Sequence, residues 1–94
     1  MFEIERADND TVHLHGRFDA AQVPRAAEVL DQISESCVVD FVKLRYISSA
    51  GLGILFATQK RLVDGGAALT LINLNPHIRE IFSIAGFDHI FEIS

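Results

Sequence analysis

The sequence CVVDFVKLRYISSAGLGILFATQKRLVDGG, residues 37–66, contains the pattern that decides the fold. It begins with an apolar segment at residues 37–41, typical of a buried strand, and continues through a short connection to Ser48-Ser49-Ala50-Gly51-Leu52-Gly53. Side chains then recur at the three- and four-residue spacing that lines one face of a helix. This row consists of Leu52, Leu55, Phe56, Gln59, Leu62 and Val63. The stretch therefore predicts a strand followed by an amphipathic helix.

The residues at both ends of this helix are typical of helix caps. Gly65-Gly66 suits the carboxyl end, because glycine adopts the left-handed conformation without a Cβ clash. Lys60 and Arg61 suit the negative pole of the helix at that end. At the amino end, either Ser48 or Ser49 can accept a hydrogen bond from a first-turn amide as the N-cap. The other hydroxyl is then expected to face solvent or a partner.

Length, charge and cysteine content narrow the class of protein. We expect the 94 residues to form one domain, residues 1–94, which must use nearly every apolar stripe to bury a core. No run approaches the ~20 apolar residues that span a bilayer, and the start resembles no signal peptide, so we expect a cytoplasmic protein without membrane insertion. The net charge of −5 argues against direct nucleic-acid binding. The lone cysteine, Cys37, is expected to be a buried thiol.

The first part of the chain has the pattern of a hairpin followed by a helix. Residues 2–6 and 11–15 alternate apolar and polar side chains, which predicts two antiparallel strands joined by the turn Asp8-Asn9-Asp10 and closed by Gly16. A helical row then begins near Val23, because Pro24 fits a first turn, and this places Asp19 in the preceding loop. The row consists of Val23, Ala26, Ala27, Leu30 and Ile33.

The last third of the chain repeats the strand and helix pattern. Residues 69–72 form a short apolar strand, and Asn75-Pro76 supplies an N-cap followed by a proline in the first turn. The helical row that follows consists of Ile78, Ile81, Phe82 and Ala85. Gly86 is expected to stop this helix, and residues 90–93 are expected to form the last strand.

The predicted element order is ββαβαβαβ. Repeated strand-helix-strand units favour parallel pairing with right-handed crossovers, so we predict an α/β fold with a small, mostly parallel sheet whose first strand is antiparallel. About three to four helices should pack on it. Loops that follow parallel strands meet at one edge of the sheet, which predicts that the Asp19 loop lies beside the Ser48-Ser49 helix start.

These segments together resemble the STAS domain of bacterial anti-sigma factor antagonists. Val38-Val39-Asp40-Phe41 and residues 46–53 are similar to the family signature, in which an apolar strand leads to Asp-Ser-Ser/Thr/Ala-Gly-Leu-Gly at a helix start. Gly16-Arg17-Phe18-Asp19 is similar to the family's Gly-Glu-Leu-Asp, and residues 78–90 are similar to its closing helix. The resemblance covers nearly the whole chain and implies a single STAS-like domain.

The resemblance also implies a mechanism. It points to an anti-sigma factor antagonist that binds an anti-sigma factor with serine kinase activity in a partner-switching pathway, with a phosphatase reversing the modification. The phosphorylated residue by position is Ser49, and the family's usual Asp before it is replaced here by Ser48. The expected partner-binding residues are Asp19, Ser48, Ser49, Ala50, Gly51 and Gly53.

Other interpretations stay open beside this one. The Ala50-Gly51 pair also resembles the STAS subunit of bacterial phospholipid-transport ABC complexes, which supports an ATPase. The two serines could serve only as a helix cap. No nucleophile-elbow pattern indicates catalysis, and His13 and His15 lack further ligands for a metal site, so we expect no enzyme activity, cofactor or metal. A binder of small ligands also stays open, as does the oligomeric state.

Overall fold

The structure is a computed structural model that describes residues 1–8 and 10–94. Five strands form one sheet in the order β1-β2-β3-β4-β5, with β1 antiparallel to β2 and the other neighbours parallel. The elements are β1 Phe2–Arg6, β2 Thr11–Phe18, α1 Val23–Leu30, β3 Cys37–Ile47, α2 Ser49–Asp64, β4 Leu69–Ile72, α3 Pro76–Ile84 and β5 Glu92–Ile93. The predicted α/β fold with a mostly parallel sheet is confirmed, and three helices pack on it, within the predicted three to four. Across the described ranges, no helix is both long and apolar enough to cross a bilayer.

One face of the sheet packs against the helices, and the other face is left open. Alternation along β2 and β3 directs one set of side chains into a core shared with all three helices. This set includes Val12, Leu14, Val39, Phe41, Leu55 and Phe82. The opposite set, which we call the open face, is half-buried or exposed and includes Glu3, Glu5, His13, His15 and Asp40. The sheet is therefore apolar on one side and polar on the other.

Several predicted boundaries are confirmed. Helix α1 begins at Val23 with its proline in the first turn, and β4 occupies residues 69–72. The Asn75 side chain accepts a hydrogen bond from the Ile78 amide at 2.8 Å and so caps α3. Gly86 follows the end of α3 with a φ of 77°, in the left-handed region where glycine is favoured. Local capping chemistry thus fixed these helix ends.

Strands β2 and β3 are longer than predicted. Gly16 does not end β2; it lies within the strand at a φ of 86°, where a Cβ would collide with the Met1 carbonyl oxygen. The expected connection after residue 41 is instead the second half of β3, which pairs with β2 up to Phe18 opposite Ile47. Register shifts interrupt this pairing, so the two-residue alternation breaks down and the sequence pattern fails to reveal the strand.

Two further expectations differ in detail, and a third falls partly outside the described residues. The last strand is only Glu92–Ile93 and not residues 90–93. The chain before it forms a 3₁₀ turn at residues 87–89, and the strand begins only after this turn. Ile33 lies beyond the end of α1 yet is fully buried, so it extends the apolar row without extending the helix. The predicted turn at residues 8–10 includes Asn9, which lies outside the described residues. Its neighbour Asp10 donates its amide to Asp8 Oδ1 at 3.0 Å.

Candidate functional site

The first turn of α2 separates the roles of the two serines. Ser48 has extended backbone angles, and its hydroxyl oxygen accepts a hydrogen bond from the Gly51 amide at 3.2 Å. Ser48 is therefore the N-cap, and the helix begins at Ser49. Ser49 is exposed, and its hydroxyl makes no hydrogen bond with any residue that the structure describes. The predicted division into one capping and one outward-facing hydroxyl is confirmed.

The start of α2 is tied to the end of β2. Phe18 pairs with Ile47 in the parallel ladder, and the Ser48 amide donates to the Phe18 carbonyl oxygen at 2.9 Å. Phe18 directly precedes Asp19 along the chain, and Ser48 directly precedes Ser49. The two loops that the sequence placed at one edge of the sheet are thus neighbours in the structure.

Asp19 enters this junction in an extended conformation before the 3₁₀ turn Ala20–Gln22. Its side chain does not cap that turn. The residue is half-buried, and its Oδ1 is shielded from solvent without a hydrogen-bond partner among residues 1–8 and 10–94. A carboxylate oxygen in that position carries an unsatisfied acceptor, which is costly unless a donor is supplied. Asp19 Oδ1 is therefore able to accept a hydrogen bond from a further donor beside the helix start.

The two glycines of the helix start have different roles. A Cβ on Gly51 would lie 2.9 Å from Ile47 Cγ1 and 3.1 Å from the Phe18 carbonyl oxygen, so only glycine lets α2 approach the strands this closely. Gly51 is buried and has a packing role, and its contact with a partner stays a prediction. Gly53 is exposed, and a Cβ added there would have no neighbouring atom within 4 Å among the described residues.

Small residues are exposed at the amino end of α2. Ser49, Ala50 and Gly53 are exposed side by side on the first turns of the helix, and we call these three residues the α2 tip. One turn further on, the ring of Phe56 stacks on Phe87 with a centroid distance of 5.5 Å and remains 38% exposed. The tip thus presents small side chains and ends against an aromatic pair.

The helix dipole favours an anion at the α2 tip. The first turn of α2 contains no acidic residue, and the helix dipole places positive charge where first-turn amides lack intrahelical partners. A phosphate on Ser49 would therefore be compatible with the helix that carries it.

The histidine pair of β2 lies away from this tip, on the open face. His13 Nδ1 is 3.4 Å from Asp40 Oδ2, and His15 pairs with Lys43 in the ladder. No group of three metal-ligating side chains occurs within the described part of the chain. His13 therefore contacts a carboxylate on the neighbouring strand.

The structure also reveals an anchor for α2 that the sequence did not indicate. Arg61 was expected to serve the end of its own helix, but its guanidinium donates to the carbonyl oxygens of Leu30 at 2.9 Å and Ile33 at 2.8 Å. It thus satisfies carbonyl groups at the end of α1. Only the fold brings these groups together, so no spacing in the sequence could have predicted the contact.

A second anchor is the buried Gln59. Its amide nitrogen donates to the Ile90 carbonyl oxygen at 2.9 Å, and its Oε1 accepts the Leu69 amide at 2.7 Å. The side chain therefore joins α2 to β4 and to the segment before β5. A glutamine in an otherwise apolar row was the sequence signal for this role.

Comparisons with known proteins agree with this architecture. The family model described as "Mlab, STAS domain" matches residues 2–92. BtrV of Bordetella bronchiseptica, provisionally named an anti-sigma factor antagonist, is 42% identical over 69 residues, which are 73% of this chain and 59% of BtrV. The matched region thus spans less than two thirds of that relative. The anti-sigma-B factor antagonist of Bacillus subtilis is 29% identical over 99 residues, covering 98% of this chain and 88% of that protein.

A solved structure gives the same result for the fold. The Bacillus cell fate determinant SpoIIAA in its phosphorylated form matches with a TM-score of 0.72 at 19% identity, covering 100% of this chain and 91% of SpoIIAA. This similarity concerns the arrangement of strands and helices. Since the family model covers nearly the whole sequence and the mixed sheet agrees with it, the chain belongs to the STAS domain family.

Proposed function

We propose that residues 1–94 act as one STAS domain, an anti-sigma factor antagonist that binds an anti-sigma factor with serine kinase activity. The observation that carries the proposal is the exposed Ser49 hydroxyl, which the cap formed by Ser48 leaves without a structural task. The names of the relatives in Bordetella bronchiseptica and Bacillus subtilis support it. Binding, without catalysis by this chain, is the proposed activity.

Phosphorylation of Ser49 is the proposed switch. It would add roughly −1.5 to −2 charges and three acceptor oxygens to the α2 tip. The helix itself tolerates this charge at its positive end, so the domain stays folded and the change falls on the docking partner. A loss of about 3 kcal/mol in binding would lower affinity more than a hundredfold. A phosphatase would restore the binding form.

Asp19 and the small residues of the tip are the proposed contact surface. Ala50 and Gly53 let a partner backbone approach α2 closely, and Ser48 borders them at the cap. Asp19 Oδ1 has no described donor, so it can accept one from the partner after a small adjustment of the loop. Asp19→Asn should therefore weaken partner binding while leaving the unfolding free energy nearly unchanged.

The test is phosphorylation by a candidate kinase. The protein is incubated with the GHKL-type serine kinase encoded nearest to it and ATP, and the phosphate is located by mass spectrometry. We expect modification at Ser49, loss of the signal in Ser49→Ala, and retention of the signal in Ser48→Ala. A kinase that binds the protein yet leaves Ser49 unmodified would reject the switch and retain the binding role.

The transporter-associated alternative has one observation in its favour. Ala50 and Gly51 follow Ser49 as in the STAS subunits of phospholipid-transport ABC complexes, and Ala50 is exposed where an ATPase could also contact it. Affinity purification from cells separates the two candidates. Recovery of an ABC ATPase in place of a serine kinase would favour the alternative.

A further inference from the structure

A second candidate site lies on the open face, away from the α2 tip. A cleft of about 790 Å³ is present where β2 and β3 approach their carboxyl ends. Its polar walls are His15, Arg17, Lys43, Arg45 and Asn75. None of the tip residues lines it. The cleft is thus distinct from the surface proposed to bind the kinase.

The cleft concentrates positive charge in an acidic chain. Arg17, Lys43 and Arg45 supply three of the eight Lys and Arg residues, whereas the net charge is −5. None of these three makes an ion pair with a carboxylate in the part of the chain that the structure describes. Adjacent cations repel one another unless an anion is supplied. The arrangement therefore favours a negatively charged ligand.

Carboxylates limit the extent of this positive region. The neighbouring concavity of about 270 Å³ contains the carboxylates of Glu5 and Asp40, together with Lys43, which lines both cavities. Asp40 already contacts His13. Glu3 lies opposite His15 across the β1–β2 ladder but does not line the cleft. Among the described residues, the cleft itself has no carboxylate in its lining, so an anion is favoured at its Arg17 and Arg45 end over the adjoining concavity.

Arg17 is held in position for such a ligand. Its guanidinium carbon lies 4.3 Å from the centroid of the Tyr46 ring, and the two residues are partners in the β2–β3 ladder. Stacking on a ring fixes the plane of a guanidinium while its edge keeps N–H donors for a bidentate oxyanion. The Asn75 side chain already caps α3 and donates to the Leu44 carbonyl oxygen at 3.3 Å. It therefore lines the cleft without being assigned a hydrogen bond to the ligand.

We propose that this cleft binds a small molecule that carries phosphate. Its volume falls within the roughly 300–1,000 Å³ typical of small-ligand sites. Three cations in one cleft match the several charges of a compact phosphate compound, and arginine binds phosphate oxygens bidentately. The negative charge of the rest of the chain disfavours a long nucleic acid, which would meet carboxylates beyond the cleft.

Inorganic pyrophosphate is the probe for the test. Titrating it into the intact ¹⁵N-labelled protein at low ionic strength should give saturable amide shifts centred on residues 15–17 and 43–45. Arg17→Gln combined with Arg45→Gln should raise the dissociation constant at least about tenfold. Arg25→Gln combined with Lys60→Gln removes the same charge from exposed helix positions and should change it less than about twofold.

Several results would overturn the proposal. Shifts confined to Ser49 and Ala50 would show that pyrophosphate binds the helix start and not the cleft. Equal weakening in both double variants would show that only the net charge of the protein matters. Absence of saturable binding would reject the site altogether. Tighter binding of a polyglutamate peptide than of pyrophosphate would assign the cleft to an acidic protein segment and reject the small molecule. If the double variant fails to fold, the amide shifts of the protein without substitutions still show whether pyrophosphate binds in the cleft.

Discussion

At its amino end, α2 meets the sheet through Ser48 and the glycine contact of Gly51, and it leaves Ser49 exposed. In its second half, the side chains of Gln59 and Arg61 bond to three other segments of the fold. One end of the helix therefore holds the element in place, and the other end presents a surface. Sites on rigid elements are more precisely positioned than sites on loops. A switch at the tip can therefore act on a partner without rearranging the domain.

The largest effect is expected at the buried anchor. Gln59→Ala leaves the Leu69 amide and the Ile90 carbonyl group without their partner, and it should lower the unfolding free energy by about 3 kcal/mol. Urea denaturation measures the change. Lys60→Ala, at an exposed neighbouring position, is the matched control and should cost less than about 0.5 kcal/mol. Equal losses in the two variants would contradict the anchoring role.

The next effect concerns the bond between α2 and α1. Arg61→Ala removes two charged donors from the Leu30 and Ile33 carbonyl groups and should cost about 1.5 kcal/mol, a value reduced by the exposure of Arg61. Arg61→Lys should recover only part of this loss, because an ammonium group lacks the planar fork. Full recovery in Arg61→Lys would show that charge alone matters at this position.

The two serines provide a sharper contrast at the tip. Ser48→Ala removes the helix cap and should cost about 1 kcal/mol of unfolding free energy. Ser49→Ala removes no described bond and should change stability by less than about 0.5 kcal/mol. Thermal unfolding of both variants in the same buffer makes the comparison. If Ser49→Ala proved the more destabilising change, the assignment of cap and exposed hydroxyl would be reversed.

The smallest effect is expected at the exposed Gly53. Gly53→Ala should stabilise the protein by about 0.5 kcal/mol, because alanine favours the helix and the position is open. Gly51→Ala should not give this gain, since its Cβ would press on Ile47 and on the Phe18 backbone. The difference in melting temperature between the variants measures the contrast. A gain in both would indicate that the strands move aside.

Much of this organisation could be predicted from local chemistry. A cap at Ser48 or Ser49, the cap at Asn75 and the left-handed Gly86 locate helix ends, because each depends on neighbours along the chain. The second half of β3 could not be predicted, because bulges break its alternation. The pairing of Arg61 with α1 depends on groups about 30 residues apart, which only the tertiary fold brings into contact.

In the candidate site, too, some features could be predicted from the sequence and others could not. Its serines and Asp19 could be placed at one edge because parallel strands dictate that edge. The burial of Gly51 and the missing partner of Asp19 Oδ1 depend on side-chain packing at the β2–α2 junction, for which the sequence carries no periodic signal. The cationic cleft likewise arises from the ladder that places His15 opposite Lys43 and Arg17 opposite Tyr46.

The central claim is that a negative charge on Ser49 changes partner binding and leaves the fold intact. Isothermal titration calorimetry with the candidate kinase, using unmodified protein and protein phosphorylated at Ser49, tests it most directly. We predict at least about a hundredfold loss of affinity on phosphorylation, with the melting temperature nearly unchanged. Equal affinities for the two forms, or a loss that accompanies unfolding of the domain, would contradict the account.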